Sequence, residues 1–313
     1  MSTDTDRLVT LHGPTMGTRW TARLAQGRIP PGLGAALQDC VDAVDREMST
    51  WRPDSTLMRL NAAAPGAWVR TGPDLIAVLQ AAARITEASG GAFDIGVGEA
   101  VLAWGFGAAQ GHTDAAAIRA ALRQPLRAEV ECCPARNRVR RLNARQLDLS
   151  GIAKGHAVDR MARLLRGRGI PDFTVGLDGE ILAEGLRPDG RPWAIALESP
   201  DPDRRAAHGL IELSGRALAT SGDYRHRVRL GLDWLSHTID PRRGAPVRNR
   251  LASVTVLAAD CAQADAWATG LMVLGEHAGP ALARARGIEA IFLVRDADSL
   301  REVTTLQPGD LTV

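Results

Sequence analysis

Segments with the composition and turn punctuation of β-strands follow one another in this chain more often than they alternate with helices. A doubly wound sheet needs a helix between successive strands, so this order predicts an α+β architecture of mixed, largely antiparallel sheets with packed helices. Strands are expected at 8–12 and 18–25 around the turn His12-Gly13-Pro14-Thr15-Met16-Gly17, at 173–184 broken by the tight turn Asp178-Gly179, and at 193–198, 209–213, 216–220, 252–258 and 288–294. A hairpin-like stretch runs from Val228 through Gly231-Leu232-Asp233 to Ile239. Helices are predicted over 33–48, where Leu33, Leu37, Val41, Val44 and Met48 recur at helical spacing, and from Pro73-Asp74 to about Ser89, stopped by Gly90-Gly91. Further helices are predicted at 115–123, at about 154–167 after a strand ending at Leu149, at 261–274 ended by Gly275, and at 278–286. No G-x-G-x-x-G opens a helix, and the glycine turn at 176–181 is too short for a dinucleotide fingerprint.

Charge excludes some partners. The 38 basic and 36 acidic residues leave a net charge of +2, which provides no basic field for nucleic acid. No apolar run approaches the roughly 20 residues that span a bilayer. The opening MSTDTDRLVTLHGPTMGTRW lacks the charged-then-apolar pattern of a secretory leader, so the chain as written is expected in the cytoplasm; a periplasmic chain trimmed of its leader would read the same. Cys40, Cys132, Cys133 and Cys261 show no metal-ligand spacing and are expected as free thiols. The basic surface is written in 37 arginines and a single lysine, Lys154. A lysine kept once in such a sequence suggests a site that needs a compact ammonium rather than a guanidinium fork.

Three constellations could carry chemistry. Asp265 and Thr269 lie four apart on a predicted helix, on a face otherwise built from small apolar residues such as Ala262 and Ala266. A carboxylate and a hydroxyl there are either hard-oxygen ligands for Mg²⁺ or an ordinary cap and arginine partner. The segment Leu147-Asp148-Leu149-Ser150-Gly151-Ile152-Ala153-Lys154-Gly155 passes through a glycine turn into a helix, whose N-terminus would favour a phosphate. The bland alternative is an ordinary turn with an exposed lysine. Ser236-His237-Thr238-Ile239-Asp240-Pro241 places a histidine at a strand end beside a proline turn, where it could be a general base or simply structural. Around these, Ala219-Thr220-Ser221-Gly222-Asp223-Tyr224 either lines a pocket or closes a loop, and Trp51 either stacks on a planar ligand or packs in the core.

In this order the motifs resemble the ApbE family of FAD:protein FMN transferases. They are MGT (16–18), MSTWRPDS (48–55), GAFDIGVG (91–98), WGF (104–106), LDLSGIAKGHAVDR (147–160), ATSGDYRHR (219–227), SHTIDPRRGAPV (236–247) and ADAWATGLMVLG (264–275). The resemblance implies one α+β domain over 1–313, with two lobes around an FAD and Mg²⁺ site. It implies that Asp265, Thr269 and the backbone oxygen of Gly151 ligate Mg²⁺. Met16, Trp51, Ala92, Phe93, Asp94, Asp148, Lys154 and Ile239 would line the FAD site, and His237 would activate the acceptor hydroxyl. The implied activity transfers FMN from FAD to a Thr or Ser of an acceptor flavoprotein with release of AMP. Hydrolysis of FAD to FMN and AMP, and a non-catalytic FAD carrier, are the alternatives. Three departures from the family pattern stand out: Trp51 replaces a frequent tyrosine, Gly96 a usual threonine, and Asp178-Gly179 a glycine pair.

Overall fold

An antiparallel meander organises the molecule, and its strands lie in the sheet in the order in which they leave the chain. A computed structural model describes residues 8–27, 29–123, 126–200, 206–223, 227–230, 233–296, 299–306 and 311–312. The eight strands are β1 (Leu8–Thr15), β2 (Thr18–Ala25), β3 (Phe173–Leu177), β4 (Glu180–Glu184), β5 (Arg216–Gly222), β6 (Leu251–Ala258), β7 (Glu289–Asp296) and β8 (Ser299–Thr304). Every neighbouring pair is antiparallel. The helices are α1 (Leu33–Met48), α2 (Thr56–Ala62), α3 (Pro73–Ala88), α4 (Gly98–Ala103), α5 (Ala115–Ala121), α6 (Ala153–Gly167) and α7 (Cys261–Arg286). The expected α+β class, with largely antiparallel sheets, is the one observed.

The residues of β6 show why the sheet is buried on both faces. Val254 and Val256 pack with Ala264, Ala268 and Leu271 of α7, whereas Ala252 and Leu257 pack with Trp193 and Ile211. The latter two belong to a three-stranded sheet in which Ala207–Leu213 lies between Trp193–Glu198 and Leu311–Thr312. A strand covered on both sides reads as a continuous apolar run rather than an alternation. On the other half of the sheet, Trp20, Leu24, Val175 and Leu177 bury against α1 and α6 through Val41, Val158 and Met161.

Most predicted elements fall where the pattern put them, and two need correction. The turn between the first strands is two residues, not six. β1 pairs as far as Thr15 with Thr18, and Met16 and Gly17 at φ 46° and 73° close a tight hairpin of the left-handed type that matches strand twist. No strand ends at Leu149 among the described ladders. The Asn61 side chain stands in for a neighbouring strand, donating to Leu147 O at 2.9 Å and accepting from Leu147 N at 2.8 Å. Asn61 therefore satisfies both backbone groups of Leu147 in place of a ladder. α7 carries the break expected at Gly275, whose φ 80° and ψ −177° separate its two helical halves. Sequence periodicity missed α2 and α4, each under two turns long, and the short three-stranded sheet of Val69–Arg70, Arg138–Arg141 and Val130–Cys133. Among the described residues no helix is long and apolar enough to cross a membrane.

Candidate active site

The N-termini of α6 and α7 meet at a backbone contact that only glycine permits. A Cβ on Gly155 would overlap the carbonyl of Cys261 and lie 2.8 Å from the Ala262 Cα. Asp159, one turn further along α6, accepts from the free amides of Cys261 at 2.7 Å and Ala262 at 3.0 Å. Asp260 caps the same helix through Gln263 N at 2.9 Å. With α7 pinned at that end, Asp265 reaches back to α6, and its Oδ2 accepts from Gly155 N at 3.1 Å.

Thr269 lies one turn further on and packs on the glycine turn. A Cβ on Gly151 would stand 3.0 Å from Thr269 Oγ1 and 3.4 Å from the Phe93 ring. Phe93 also fills the space beside Gly270, where a Cβ would sit 3.2 Å from the Phe93 Cβ. The 92–95 segment joins the same turn through the bond from Asp148 N to Ile95 O at 2.7 Å. Asp148 Oδ1 in turn accepts from Ser150 N at 2.7 Å. Two sequence-distant segments, 92–95 and α7, thus converge on the turn at Gly151.

Charge at this junction is unbalanced. The Lys154 ammonium donates to Glu180 Oε1 at 2.8 Å and lies 3.7 Å from Asp178 Oδ2. Glu180 is 1 % exposed and Asp265 5 %. Burial pushes the Asp265 carboxyl up to about 8, with the Glu180 charge raising it further against the pull of Lys154. Burial likewise raises Glu180. Burial works to lower Lys154, but Glu180, Asp265 and Asp178 outweigh it and hold the ammonium above the usual lysine range. Two buried carboxylates share one ammonium, so a further cation beside Asp265 would be favourable.

The donor set fits Mg²⁺. One carboxylate, one hydroxyl and a backbone oxygen are hard ligands, and Mg²⁺ commonly completes an octahedron with water and substrate phosphate. Among the described residues no three His, Cys, Asp or Glu side chains gather as a closed metal cage.

The remaining residues singled out in the sequence occupy varied settings. Ala92 is fully buried, and Asp94 Oδ1 accepts from Gly96 N at 2.8 Å and Ala128 N at 2.9 Å, with burial raising its carboxyl. Met16 sits at the tip of the first hairpin and packs on the large core. Since Trp20 pairs with Leu177, that tip and the Asp178-Gly179 turn lie at the same end of the sheet. Trp51 is 59 % exposed, so its ring is free to stack rather than buried in the core. Ile239 packs with Phe106, Leu126 and Leu235, and pairs with Pro246 in a two-residue ladder that also joins Asp240 to Ala245. Trp104 of the WGF motif ties that ladder down through Gly244 O at 2.9 Å. His237 is half-buried between this ladder and the strand Asp233–Ser236. Tyr224 lies outside the described residues.

Glu180 and Asp159 belong to this junction and were not foreseen. Each meets its partner far along the chain, 26 and about 100 residues away, and no local spacing marks them. Two departures have physical reasons. A Cβ on Gly96 would come 2.7 Å from Ala128 N, so the threonine usual at this point has no room against this backbone. Asp178 adopts φ 61°, a left-handed conformation that aspartate tolerates better than most residues and that a glycine pair would supply freely.

A fold of this kind, with a carboxylate–hydroxyl helix face set on a glycine turn and its lysine, defines a family: residues 16–292 match the ApbE family, and the chain belongs to it. It is 37% identical to the FAD:protein FMN transferase of Vibrio cholerae over 94% of this chain and 90% of that one. The FAD:protein FMN transferase of Escherichia coli K12 is 30% identical over 96% of this chain and 88% of its own length. The fold superposes on the flavin transferase ApbE from Vibrio cholerae with a TM-score of 0.83 at 36% identity, covering 95% and 97% of the two chains. The Pseudomonas stutzeri flavinyl transferase ApbE in its apo form gives 0.83 at 33% identity over 97% and 96%.

Proposed function

We propose that this chain is a Mg²⁺-dependent FAD:protein FMN transferase. It cleaves the FAD diphosphate and leaves FMN esterified to a threonine or serine hydroxyl of an acceptor protein. The observation that carries this reading is the junction at Gly151: the Asp265–Thr269 face, the turn and Lys154 come together where a diphosphate and a divalent ion can share one place. Phosphoryl transfer depends mainly on positioning and on neutralising charge, and this junction offers both.

Lys154 and the amides opening α6 bind and orient the diphosphate. Asp148, Phe93 and Ala92 shape the floor beneath it, and Trp51 offers its exposed face to a planar ring. His237 takes the proton from the acceptor hydroxyl as the new oxygen–phosphorus bond forms at the flavin-side phosphate. The bond from that phosphorus to the bridging oxygen breaks, and AMP carries the bridging oxygen away. Asp265, Thr269 and the Gly151 oxygen would hold Mg²⁺, which supplies Lewis-acid neutralisation of the diphosphate when bound.

The test is to incubate the protein with FAD and candidate flavoproteins, with Mg²⁺ or with chelator, while assaying AMP and the acceptor's intact mass. The expected result is AMP and an FMN adduct on Thr or Ser, both lost on chelation. AMP without adduct under all conditions would instead make the chain an FAD hydrolase. Tight FAD retention with no AMP would make it a carrier.

A further inference from the structure

The segment leading into the Asp148–Gly151 turn is held along two edges, one by backbone and the other by a side chain. On the first edge, Gly98 N donates to Gln146 O at 3.0 Å and Asp148 N to Ile95 O at 2.7 Å. On the second, the Asn61 amide donates to Leu147 O at 2.9 Å and accepts from Leu147 N at 2.8 Å. The next peptide unit is planar and stiff, so a shift of Leu147 passes directly to Asp148. From there it reaches Gly151 through the bond of Asp148 Oδ1 to Ser150 N at 2.7 Å.

Asn61 is itself fastened. It is the penultimate residue of α2, whose last carbonyls are gathered by the Arg141 guanidinium. Nε donates to Leu60 O at 2.9 Å, and Nη2 to Asn61 O at 2.8 Å and Ala63 O at 2.6 Å. Nη1 reaches Arg145 O at 2.8 Å and ties α2 to the chain that enters the turn. Arg141 is buried, so moving any of these carbonyls would leave a buried charged donor unsatisfied. At the other end of α2, the buried Ser55 accepts from Met58 N at 3.0 Å and donates to Ser49 O at 2.7 Å. Ser49 opens the loop that presents Trp51. A helix of about 10 Å thus joins the Trp51 loop to the Asp148 turn.

Resting on the transferase reading above, we propose that Asn61 is a positioning residue for FAD cleavage. It acts through Leu147 on Asp148 and the Gly151 oxygen, and α2 is the strut that sets their distance from Trp51. The role demands an amide, because Leu147 presents one donor and one acceptor side by side. An ionised aspartate offers only acceptors there, and an alanine offers nothing.

The test uses the whole chain as Asn61→Asp and Asn61→Ala, read in two ways. Amide hydrogen exchange without FAD follows Asp148 and Ser150, whose own partners are Ile95 O and Asp148 Oδ1 rather than Asn61. Both amides are expected to exchange at least tenfold faster in each variant, while the amides of β2 keep wild-type rates and show that the fold is retained. FAD cleavage with Mg²⁺, measured well below each melting temperature, should lose at least tenfold in kcat with the KM for FAD within about threefold of wild type. If Asn61→Ala does not fold, the isosteric Asn61→Asp carries both measurements. Wild-type exchange at Asp148 and Ser150 overturns the proposal whatever the activity. A lowered melting temperature with unchanged kcat also overturns it, since that marks a residue supporting the fold alone. Absence of AMP from wild type under all conditions overturns the transferase reading instead, and the exchange rates still decide whether Asn61 sets the turn.

Discussion

The two regions assigned to the proposed active site are built by opposite means. The wall made by α6 and α7 is a backbone-to-backbone contact at Gly155, sealed by Asp159 and filled with buried charge at Asp265, Glu180 and Lys154. The wall made by 236–249 is a two-residue ladder with arginines on its outer side, held to the molecule through Trp104 and Leu126. The first wall is fixed before any ligand arrives, which suits a cofactor-sized substrate of constant shape. The second is a short ladder whose Ile239 is buried in an apolar cluster while Arg242, Arg243 and Arg248 stand exposed.

Removing Asp265 is the strongest way to break this comparison. Asp265→Ala should release no AMP above background at any Mg²⁺ concentration, with or without acceptor, because the fixed wall serves both outcomes. The assay is AMP formation against a Mg²⁺ titration. Wild-type rates in this variant would remove the metal from Asp265 and with it the distinction between the walls.

Changing the second wall should separate the two outcomes. His237→Ala is expected to slow FMN transfer by on the order of 10²-fold or more, the usual contribution of a general base, while FAD binding stays within twofold. Transfer kinetics and equilibrium FAD binding, measured side by side, check it. A matching loss of FAD affinity would make His237 part of the fixed wall.

The two walls also differed in how far the sequence revealed them. Asp265, Thr269 and Lys154 could be marked because residues four apart share a helix face and because the lysine has no duplicate in the chain, whereas Gly151 was marked as a ligand only by the family resemblance. The antiparallel class was legible for a similar reason: turn signals such as Asp178-Gly179 sit directly between strand patterns. Glu180 was not legible, since its meaning depends on a lysine on another element. The strand expected before Leu149 failed for a related reason. The Leu147 backbone looks for a partner there, and an asparagine side chain satisfies it as a strand would. Gly96 reads as a family departure in sequence, and only the nearness of Ala128 N explains it. The 236–249 region was visible as a motif, and the break of α7 at Gly275 was legible as a helix end.

Glu180 offers the finest test of the fixed wall. Its carboxylate is buried, one oxygen accepts from Lys154 and the other from Gly179 N at 3.2 Å, so it holds the ammonium at the turn. Glu180→Gln keeps the size and one acceptor but removes the charge that fixes the ammonium. FAD cleavage should fall about tenfold in kcat with little change in KM, since misplacing a charge by a fraction of an ångström affects the transition state more than the bound substrate. In a Lys154→Met background the same substitution should leave kcat unchanged, because the residue through which it acts is gone, and should raise the melting temperature by relieving a buried, unpaired carboxylate. Additive losses in that double-mutant cycle would mean that Glu180 supports the strand rather than the lysine. The fixed wall would then owe its order to backbone packing at Gly155 alone.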